Sequence, residues 1–274
     1  MVGPSMQVVF DWQEAAKAQG LSQSTIRQYS ACLVRFLLDA RIPDLLGATE
    51  ADAVAYIARL SDRGPTRQLH MKALRSFYRW ALETGRIPED PTRKLRPKAP
   101  PSPPVDAFSE DEVMRLVATA RARHPKRGWA ILAAYGLGLR RRELCQLAPA
   151  DVDFDRRRVY IRQSKGGRSR WVPMSRVAEG ALQGLRPWWG SSVVGDINPN
   201  TFTVWVNQAA TDAGFPPGRR RAHMLRSGFA TELRRRGVNR IEIVQQLLGH
   251  ATIATTQRYM RVDAEELRTA VGLL

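Results

Sequence analysis

The sequence predicts a mainly helical α+β fold in two domains, with one small β-hairpin in the second domain. Three observations predict it. Apolar residues recur at spacings of three and four through most of the chain, which is the period of an amphipathic helix. From Arg158 to Val172 the period changes to two, with Gly166 and Gly167 at a turn, as in a hairpin. A proline-rich segment separates the first group of helical patterns from the second.

The composition is typical of an intracellular globular protein. The 274 residues are enough for two domains, and 43% of them are hydrophobic. No apolar run reaches the ~18 to 20 residues of a membrane span, and the N-terminus does not resemble a signal peptide. Cys32 and Cys145 lie far apart in helical patterns, which suggests neither a disulfide framework nor a cysteine zinc site. We therefore expect a cytoplasmic protein that does not bind membranes.

The strongest global signal is positive charge. Lysine and arginine total 43 against 26 acidic residues, for a formal net charge of +17. Such an excess attracts polyanions, of which nucleic acid is the most common in a cell. Four arginine triplets lie in the second half of the chain: residues 140–142, 156–158, 219–221 and 234–236. For the second and fourth triplets, solvated surface charge is at least as good an explanation as a specific role.

Residues 1–87 form the predicted N-terminal helical domain. Ser24 opens an amphipathic pattern, and Thr49 with Asp52 forms a capping box before a second helix. A third helix is predicted from about Thr66 to Glu83. One side of this third helix is apolar, and the opposite side carries three basic residues that we expect to contact DNA: Lys72, Arg75 and Arg79.

Residues 88–107 form the predicted linker. Seven prolines lie between Pro88 and Pro104, with almost no large apolar residues. Proline removes backbone donors and favours extended chain, so a semi-rigid basic linker is expected here rather than part of a core.

Residues 108–274 form the predicted second domain, which starts with a capping box of Ser109 and Glu112. Asn239 is expected to cap the last clear helix, and Gly249 to end it. Thr252 would then cap a further helix, and the final twelve residues make a short amphipathic one. The predicted helices between these points are Gly128 to Tyr135, one over "RRRELCQL", Ser175 to Leu185, Thr201 to Ala213, His223 to Arg236, and Asn239 to Leu248.

Six polar residues at the junctions of these elements form a candidate site: Arg140, Lys165, His223, Arg226, His250 and Tyr259. Two guanidiniums can bracket the oxygens of a phosphodiester, because their planar forks match its geometry. A tyrosine can attack the phosphorus, and a lysine at a hairpin tip or a nearby histidine can protonate the departing sugar oxygen. With the charge carried by arginines, no metal or other cofactor is required.

Four motifs give this chain its resemblance to the tyrosine recombinases of the phage integrase and Xer type: "GLGLRRREL", "SKGGRSRWVPM", "HMLRSGFATEL" and "LGHATIATTQRYM". Their order and spacing agree over roughly residues 109–260. The stretches "STIRQYSACLVRFL" and "LHMKALRSFYRWALETG" resemble the helical core-binding domain of that family. The resemblance implies a two-domain clamp around DNA, in which a core-binding domain precedes a catalytic domain.

The resemblance also implies a role for each candidate residue. Tyr259 would be the nucleophile, and Arg140 and Arg226 would bind the scissile phosphate. Lys165 would protonate the leaving 5′ oxygen, with His223 as an acid/base. The remaining residue, His250, would donate a hydrogen bond to the phosphate.

The partners implied are double-stranded DNA and three further copies of the chain, in a tetramer on two DNA sites. The C-terminal segment, Asp263 to Leu274, is expected to dock on a neighbouring protomer, with packing on its own domain as the alternative. An accessory directionality protein and a nucleoid location in a bacterial host, if a phage encodes the chain, are further expectations. The reaction needs neither metal nor ATP. Too few residues precede Ser24 for an arm-binding domain, which suggests phage or mobile-element integration and excision at simple core sites.

Departures from the family pattern are few. Ser227 follows the second-box arginine, where histidine or a similar polar residue is usual. Arg141 and Arg142 stand where an aliphatic and a small residue are usual. Glu143 matches the acidic position of the family, and we expect it to orient a basic neighbour rather than to do chemistry.

Several alternatives remain open from the sequence. A type IB topoisomerase shares this chemistry, and a DNA-binding protein that lost catalysis would share the fold. The carboxylates of "DVDFD", Asp151, Asp153 and Asp155, suggest a Mg²⁺ nuclease, although a structural turn explains them better. Lys165 is also consistent with a solvated turn. DNA contact and a solvated loop are equally good explanations for three neighbouring residues: Arg219, Arg220 and Arg221. Caps or core packing are the better explanation for His70 and His124.

Overall fold

The computed structural model of the chain describes residues 4–60, 64–96, 106–162 and 169–249. The chain divides into two compact units, Met1–Ser102 and Pro103–Leu274. Both are mainly helical, and the second contains a small three-stranded sheet, which confirms the predicted fold class. Within the described ranges, no helix has the length and apolar character that crossing a membrane requires.

In the described residues of the first unit, four helices form a bundle: α1 (Pro4–Ala18), α2 (Gln23–Ala40), α3 (Glu50–Arg59) and α4 (Gly64–Glu83). Its core is rich in aromatic side chains, and Phe36 and Phe77 are fully buried there. The sequence interpretation assigned no element before Ser24 and therefore missed α1. Val9, Trp12 and Ala16 are buried in the same core at spacings of three and four, which is the signal that would have revealed it.

Two helix starts in the first unit test the capping predictions. Thr49 and Asp52 form the predicted capping box, with hydrogen bonds of 3.2 and 2.9 Å between the side chain of each and the backbone N–H of the other. The preceding helix begins earlier than predicted, because Ser22 rather than Ser24 is its N-cap and accepts a hydrogen bond from the Thr25 N–H.

The packing of the first unit extends into the first residues of the predicted linker. Thr92 and Leu95 are buried, and the Thr92 N–H and hydroxyl both donate to Asp90. Lys94 forms an ion pair with Glu50 at 2.8 Å. Residues 88–96 therefore belong to the first unit. The prolines predicted an extended segment here, but polar turns and the buried Leu95 side chain hold it against the unit.

The second unit follows the predicted element order around a large apolar core. Its three strands are antiparallel in the order β1, β2, β3, with Tyr160 opposite Trp171. The predicted hairpin is β2 with β3, while the short β1 was predicted only as a turn. The elements are α5 (Glu110–Arg123), α6 (Pro125–Gly136), α7 (Arg141–Gln146), β1 (Val152–Asp153), β2 (Arg158–Ile161), β3 (Arg170–Pro173), α8 (Arg176–Leu185), α9 (Pro199–Asp212), α10 (His223–Arg235) and α11 (Ile241–Leu248).

The predicted start of α11 is wrong, whereas its predicted end is confirmed. Asn239 was predicted as the N-cap, but α11 begins at Ile241 with Arg240 in the capping position and no side-chain cap. Asn239 instead follows the turn at Gly237 and donates its N–H to the Gly237 carbonyl. The predicted stop at Gly249 is confirmed, since Gly249 has φ of +63° and ends the helix in the left-handed conformation.

Candidate active site

A buried carboxylate, Glu143 on α7, lies at the centre of the candidate site. Both Nη atoms of Arg170 on β3 donate to it, at 3.2 and 3.1 Å. The backbone N–H and the Nη1 of Arg140 donate to it at 2.9 and 2.7 Å. Arg226 on α10 completes the group, with its Nη1 3.5 Å from the carboxylate. One anion thus holds three guanidiniums from three elements, as expected of a residue that orients basic neighbours.

The same three arginines also bind the end of α11. Arg170 Nε donates to the Leu247 carbonyl at 2.8 Å, and Arg226 Nη2 donates to the Leu248 carbonyl at 2.5 Å. Arg140 Nη2 donates to the Gly249 carbonyl at 3.3 Å. Three consecutive backbone carbonyls at the C-terminal end of α11, which have no hydrogen-bond partner within the helix, therefore accept hydrogen bonds from arginines. The positive charge of the arginines also interacts favourably with the negative end of the helix dipole. The residue that follows Gly249 in the sequence is His250.

The three arginines keep Glu143 ionised despite its burial. Burial by itself raises the pKa of a carboxyl group, because it removes water from the charged form. The hydrogen bonds and charge of Arg170, the Arg140 backbone N–H and the charge of Arg226 outweigh burial and lower the pKa of Glu143 to about 2. The carboxylate is therefore a permanent negative charge at neutral pH.

Local backbone geometry places the two predicted phosphate-binding arginines. Gly138 has φ of +60°, and a Cβ at this position would lie 2.4 Å from the ring of Phe229. The turn at Gly138 brings Arg140 to the N-cap of α7, and the Gly138 carbonyl accepts a hydrogen bond from Arg226 Nη1 at 2.9 Å. Only glycine adopts this turn against a packed aromatic ring without strain.

The predicted residue His223 is the first residue of α10, one turn before Arg226, and is exposed. It lines a cavity of about 490 Å³ together with Arg140, whose side chain is 34% exposed. Arg226, by contrast, is only 1% exposed. The structure thus brings Arg140, His223 and Arg226 to one place in the second unit.

The other three predicted catalytic residues, Lys165, His250 and Tyr259, lie outside the described residues. The same holds for Thr252, for the hairpin turn at Gly166 and Gly167, and for the C-terminal segment.

On the first unit, α4 carries the predicted basic face. Lys72 and Arg79 are exposed and Arg75 is half-buried, and all three line a groove of about 610 Å³. Tyr29 and Trp80 lie in the same groove. The three basic side chains and two aromatic rings therefore line one surface groove.

The arginine run 219–221 divides into different environments. Arg219 donates to both oxygens of Glu112 at 2.6 and 2.8 Å and to the Ala107 carbonyl at 2.8 Å. It therefore holds the start of α5, and its contact with DNA stays a prediction. Arg220 and Arg221 line the same cavity as His223.

The sequence interpretation missed Arg170, although its pattern contained a signal. Alternate residues of a strand face the same side, and Val172 on β3 is buried, so Arg170 also faces inward. An arginine that faces inward needs a buried acidic partner. Since Glu143 was expected to orient a basic neighbour, Arg170 could have been proposed as that neighbour.

Two of the three carboxylates considered for metal binding form hydrogen bonds with arginines. Asp151 is buried and accepts hydrogen bonds from Arg162 Nε and Nη2, and Asp153 accepts one from Arg158 Nε at 3.2 Å. Across the described ranges, no group of three or more His, Cys, Asp or Glu is placed to hold a metal ion. These contacts support the structural interpretation of "DVDFD".

Two histidines without catalytic partners in the sequence have structural roles. His70 is buried and its Nδ1 shares a hydrogen bond of 2.7 Å with the Tyr56 hydroxyl. His124 caps α6, where its Nδ1 accepts a hydrogen bond from the Lys126 N–H. Both predictions are confirmed.

Comparisons with known proteins agree with this architecture. The model of the phage integrase family matches residues 107–266, and the model of the phage integrase N-terminal SAM-like domain matches residues 11–85. Tyrosine recombinase XerA of Pyrococcus horikoshii is 31% identical over 267 residues, covering 92% of this chain and 88% of that protein. XerA of Pyrococcus furiosus is 29% identical, covering 97% and 93%.

A solved structure shares the fold. The crystal structure of a lambda integrase(75-356) dimer bound to a COC′ core site matches with a TM-score of 0.79 and 19% identity, covering 95% of this chain and 96% of that one. Fold and sequence together define a DNA-cutting and rejoining enzyme. The chain belongs to the phage integrase family of tyrosine recombinases.

Proposed function

We propose that this chain is a site-specific recombinase that cuts and rejoins double-stranded DNA through a covalent 3′-phosphotyrosyl intermediate on Tyr259. One observation carries the proposal. Arg140 and Arg226 come from distant parts of the sequence, yet both contact Glu143 and both bind the end of α11. That end leads directly to His250 and, nine residues later, to Tyr259.

The proposed reaction uses the two arginines as the binding site for the scissile phosphate. The Tyr259 oxygen attacks the phosphorus and forms a new P–O bond, while the bond to the 5′ oxygen breaks. Lys165 gives that oxygen a proton, and His223 acts as an acid/base on the attacking hydroxyl. His250 donates a hydrogen bond to the phosphate. The arginine charges count most as negative charge develops on the phosphate oxygens in the transition state.

Rejoining reverses these steps, with a 5′ hydroxyl of another strand attacking the phosphotyrosine. The number of phosphate ester bonds is the same before and after, so the proposed reaction needs no ATP. Because the arginines supply the positive charge, it also needs no metal ion.

The proposed partners are duplex DNA and further copies of the chain, assembled as a tetramer on two sites in the nucleoid of a host cell. The C-terminal segment, Asp263 to Leu274, would join neighbouring protomers. Support comes from the fold, since solved relatives of this fold include a lambda integrase tetramer bound to a Holliday junction. Integration and excision of phage or other mobile DNA, with an accessory protein for direction, is the biological role proposed.

The test begins with identifying the DNA that the protein joins. Sequencing the new DNA junctions in cells that express the chain gives the target site, and a nicked suicide duplex of that site traps the covalent adduct. We expect the wild-type protein to form the adduct in the presence of EDTA. Tyr259→Phe should bind the duplex and form none, because loss of one hydroxyl removes the nucleophile and leaves the charge unchanged.

Tyr160→Phe is the matched control, since it removes one hydroxyl from a tyrosine of the same unit, whose ring packs against Trp171 at a tilt of 49°. An adduct in the Tyr259→Phe protein, or loss of the wild-type adduct with EDTA, would overturn the mechanism. Relaxed circles without recombinant junctions would indicate a topoisomerase instead.

A further inference from the structure

The cavity lined by Arg140 and His223 is also lined by basic residues that the proposed reaction does not use. It has a volume of about 490 Å³, and six basic side chains line it, from the start of α7, the loop before α10 and α10 itself. No carboxylate is among the described residues around it. The six are Arg140, Arg141, Arg142, Arg220, Arg221 and His223.

Three of these arginines have no carboxylate partner among the described residues. Arg141, Arg142 and Arg220 have no ion pair with a carboxylate in the part of the chain that the structure describes, whereas about half of the arginines described in this unit have one. Like charges that converge on one cavity repel each other, and a bound anion relieves that repulsion. The cavity is therefore a site of strongly positive potential.

Arg141 and Arg220 are held in place by hydrogen bonds that leave most of their donors available. Arg141 Nη1 donates to the Thr203 hydroxyl at 2.9 Å, and that hydroxyl donates to the Pro199 carbonyl on α9. Arg220 Nε donates to the Phe215 carbonyl at 2.8 Å. Each guanidinium has five N–H donors, so several remain for a ligand.

We propose that Arg141, Arg142 and Arg220 form a second phosphate subsite, for the DNA backbone phosphate next to the scissile one. The assignment to DNA rests on the proposed function, because the cavity is continuous with Arg140 and His223. Planar guanidiniums recognise phosphate oxygens in pairs. Arg140 lines the same cavity, so a strand whose scissile phosphate binds Arg140 would carry its next phosphate to these three arginines. The subsite fixes the register of the strand at the cleavage position.

The sequence has a basic α7 start with Arg141 and Arg142 in consecutive positions, directly after Arg140. Both side chains are exposed, so they have little role in packing the unit. Their substitution by glutamine therefore removes charge without disturbing a core.

The experiment measures the affinity of the full chain for a short duplex as a function of salt, for the double variant Arg141→Gln/Arg142→Gln. We expect affinity to fall about tenfold or more at low salt, and the slope of log affinity against log salt to decrease by roughly 0.9 for each phosphate no longer neutralised. Arg220→Gln, from a different element, should act in the same direction.

The charge-matched control is Arg176→Gln/Arg240→Gln, two exposed arginines of the same unit outside the cavity. It should change affinity by less than about twofold, the variation expected from net charge alone. Equal losses in the two double variants would overturn the subsite, as would an unchanged salt slope in the cavity variant. Circular dichroism and thermal unfolding check that all variants fold.

The adduct assay with the suicide duplex separates this inference from the proposed function. If the wild-type protein forms no adduct while the cavity variant still loses affinity, the proposed chemistry fails and the subsite stands. If the adduct forms and the cavity variant binds like its control, the subsite fails alone.

Discussion

Arg170 and Glu143 form a buried ion pair in which both Nη atoms of the arginine donate to the carboxylate, at 3.2 and 3.1 Å. The Arg170 side chain is 8% exposed and the Glu143 side chain is fully buried. Since Glu143 also contacts Arg140 and Arg226, the pair joins the hairpin to the two helices that carry the proposed phosphate-binding arginines. The position of those arginines therefore depends on a residue that itself need not touch DNA.

Replacement of Glu143 by glutamine should destabilise the second unit by roughly 3 to 5 kcal/mol, because it leaves buried arginine charges without an anion. Chemical denaturation of the full chain measures this change. Glu242→Gln, an exposed carboxylate on α11, is the matched control and should change stability by less than about 0.5 kcal/mol. Equal unfolding free energies for the two variants would show that Glu143 does not hold the arginines.

The pH dependence of stability provides a second test of the same group. Arginine contacts lower the pKa of Glu143 in the folded chain from 4.5 to about 2. A lowered folded pKa means that the stabilisation is complete above the unfolded pKa and is lost as pH falls from about 4.5 to about 2, by roughly 3 kcal/mol. The difference in unfolding free energy between wild type and Glu143→Gln should shrink over that window. A difference that is constant from neutral pH to acid would contradict this linkage.

Gly249→Ala should lower stability by about 1 to 2 kcal/mol from backbone strain alone, since φ is +63° at this position. An added Cβ would also lie 2.6 Å from Arg170 Nη1, which would displace the guanidinium from Glu143. Thermal unfolding measures the effect. The control is Gly180→Ala in α8, where a Cβ meets nothing within 4 Å, and it should raise stability by roughly 0.5 to 1 kcal/mol. A stabilising Gly249→Ala would be inconsistent with the described turn.

Arg219→Ala should affect folding rather than DNA affinity. Its guanidinium donates to both oxygens of Glu112, the third residue of α5 and a member of its capping box, so we expect a loss of about 1 to 3 kcal/mol of stability. The salt slope of DNA binding should stay as in wild type. Arg221→Ala, two residues along and exposed, should show the opposite pattern, with weaker DNA binding and little change in stability. A reduced salt slope in Arg219→Ala would restore the original DNA-contact prediction.

The basic face of α4 should contribute to DNA affinity through phosphate contacts. Substituting alanine for Lys72, Arg75 or Arg79 should each reduce the salt slope by roughly 0.9 and weaken binding to duplexes of any sequence. Arg59→Ala on α3 is the control, because Arg59 is exposed and lines a different groove of the same unit. If Arg59→Ala weakens binding as much as the α4 variants, the effect comes from net charge and not from this face.

The sequence predicted helix ends and the hairpin well where the deciding residues are close together in the chain. The capping boxes at Thr49 and Ser109 and the left-handed stop at Gly249 each depend on residues three or four positions apart. The hairpin followed from the change in period between Arg158 and Val172. The Asn239 cap failed because a neighbouring turn at Gly237 competes for the same residue, and propensity alone does not decide that competition.

The sequence by itself determined which residues are candidates for the chemistry, because the motifs around Arg140 and Arg226 have a recognisable order and composition. Only the tertiary structure decided their relation to one another. Glu143 joins Arg140, Arg170 and Arg226, and the three then meet consecutive carbonyls of α11. The partners of a buried charge are the groups that the tertiary fold places within hydrogen-bond distance of it. Arg219 is a second example, since its partner Glu112 is distant in sequence, and only the fold brings the two side chains together at the start of α5.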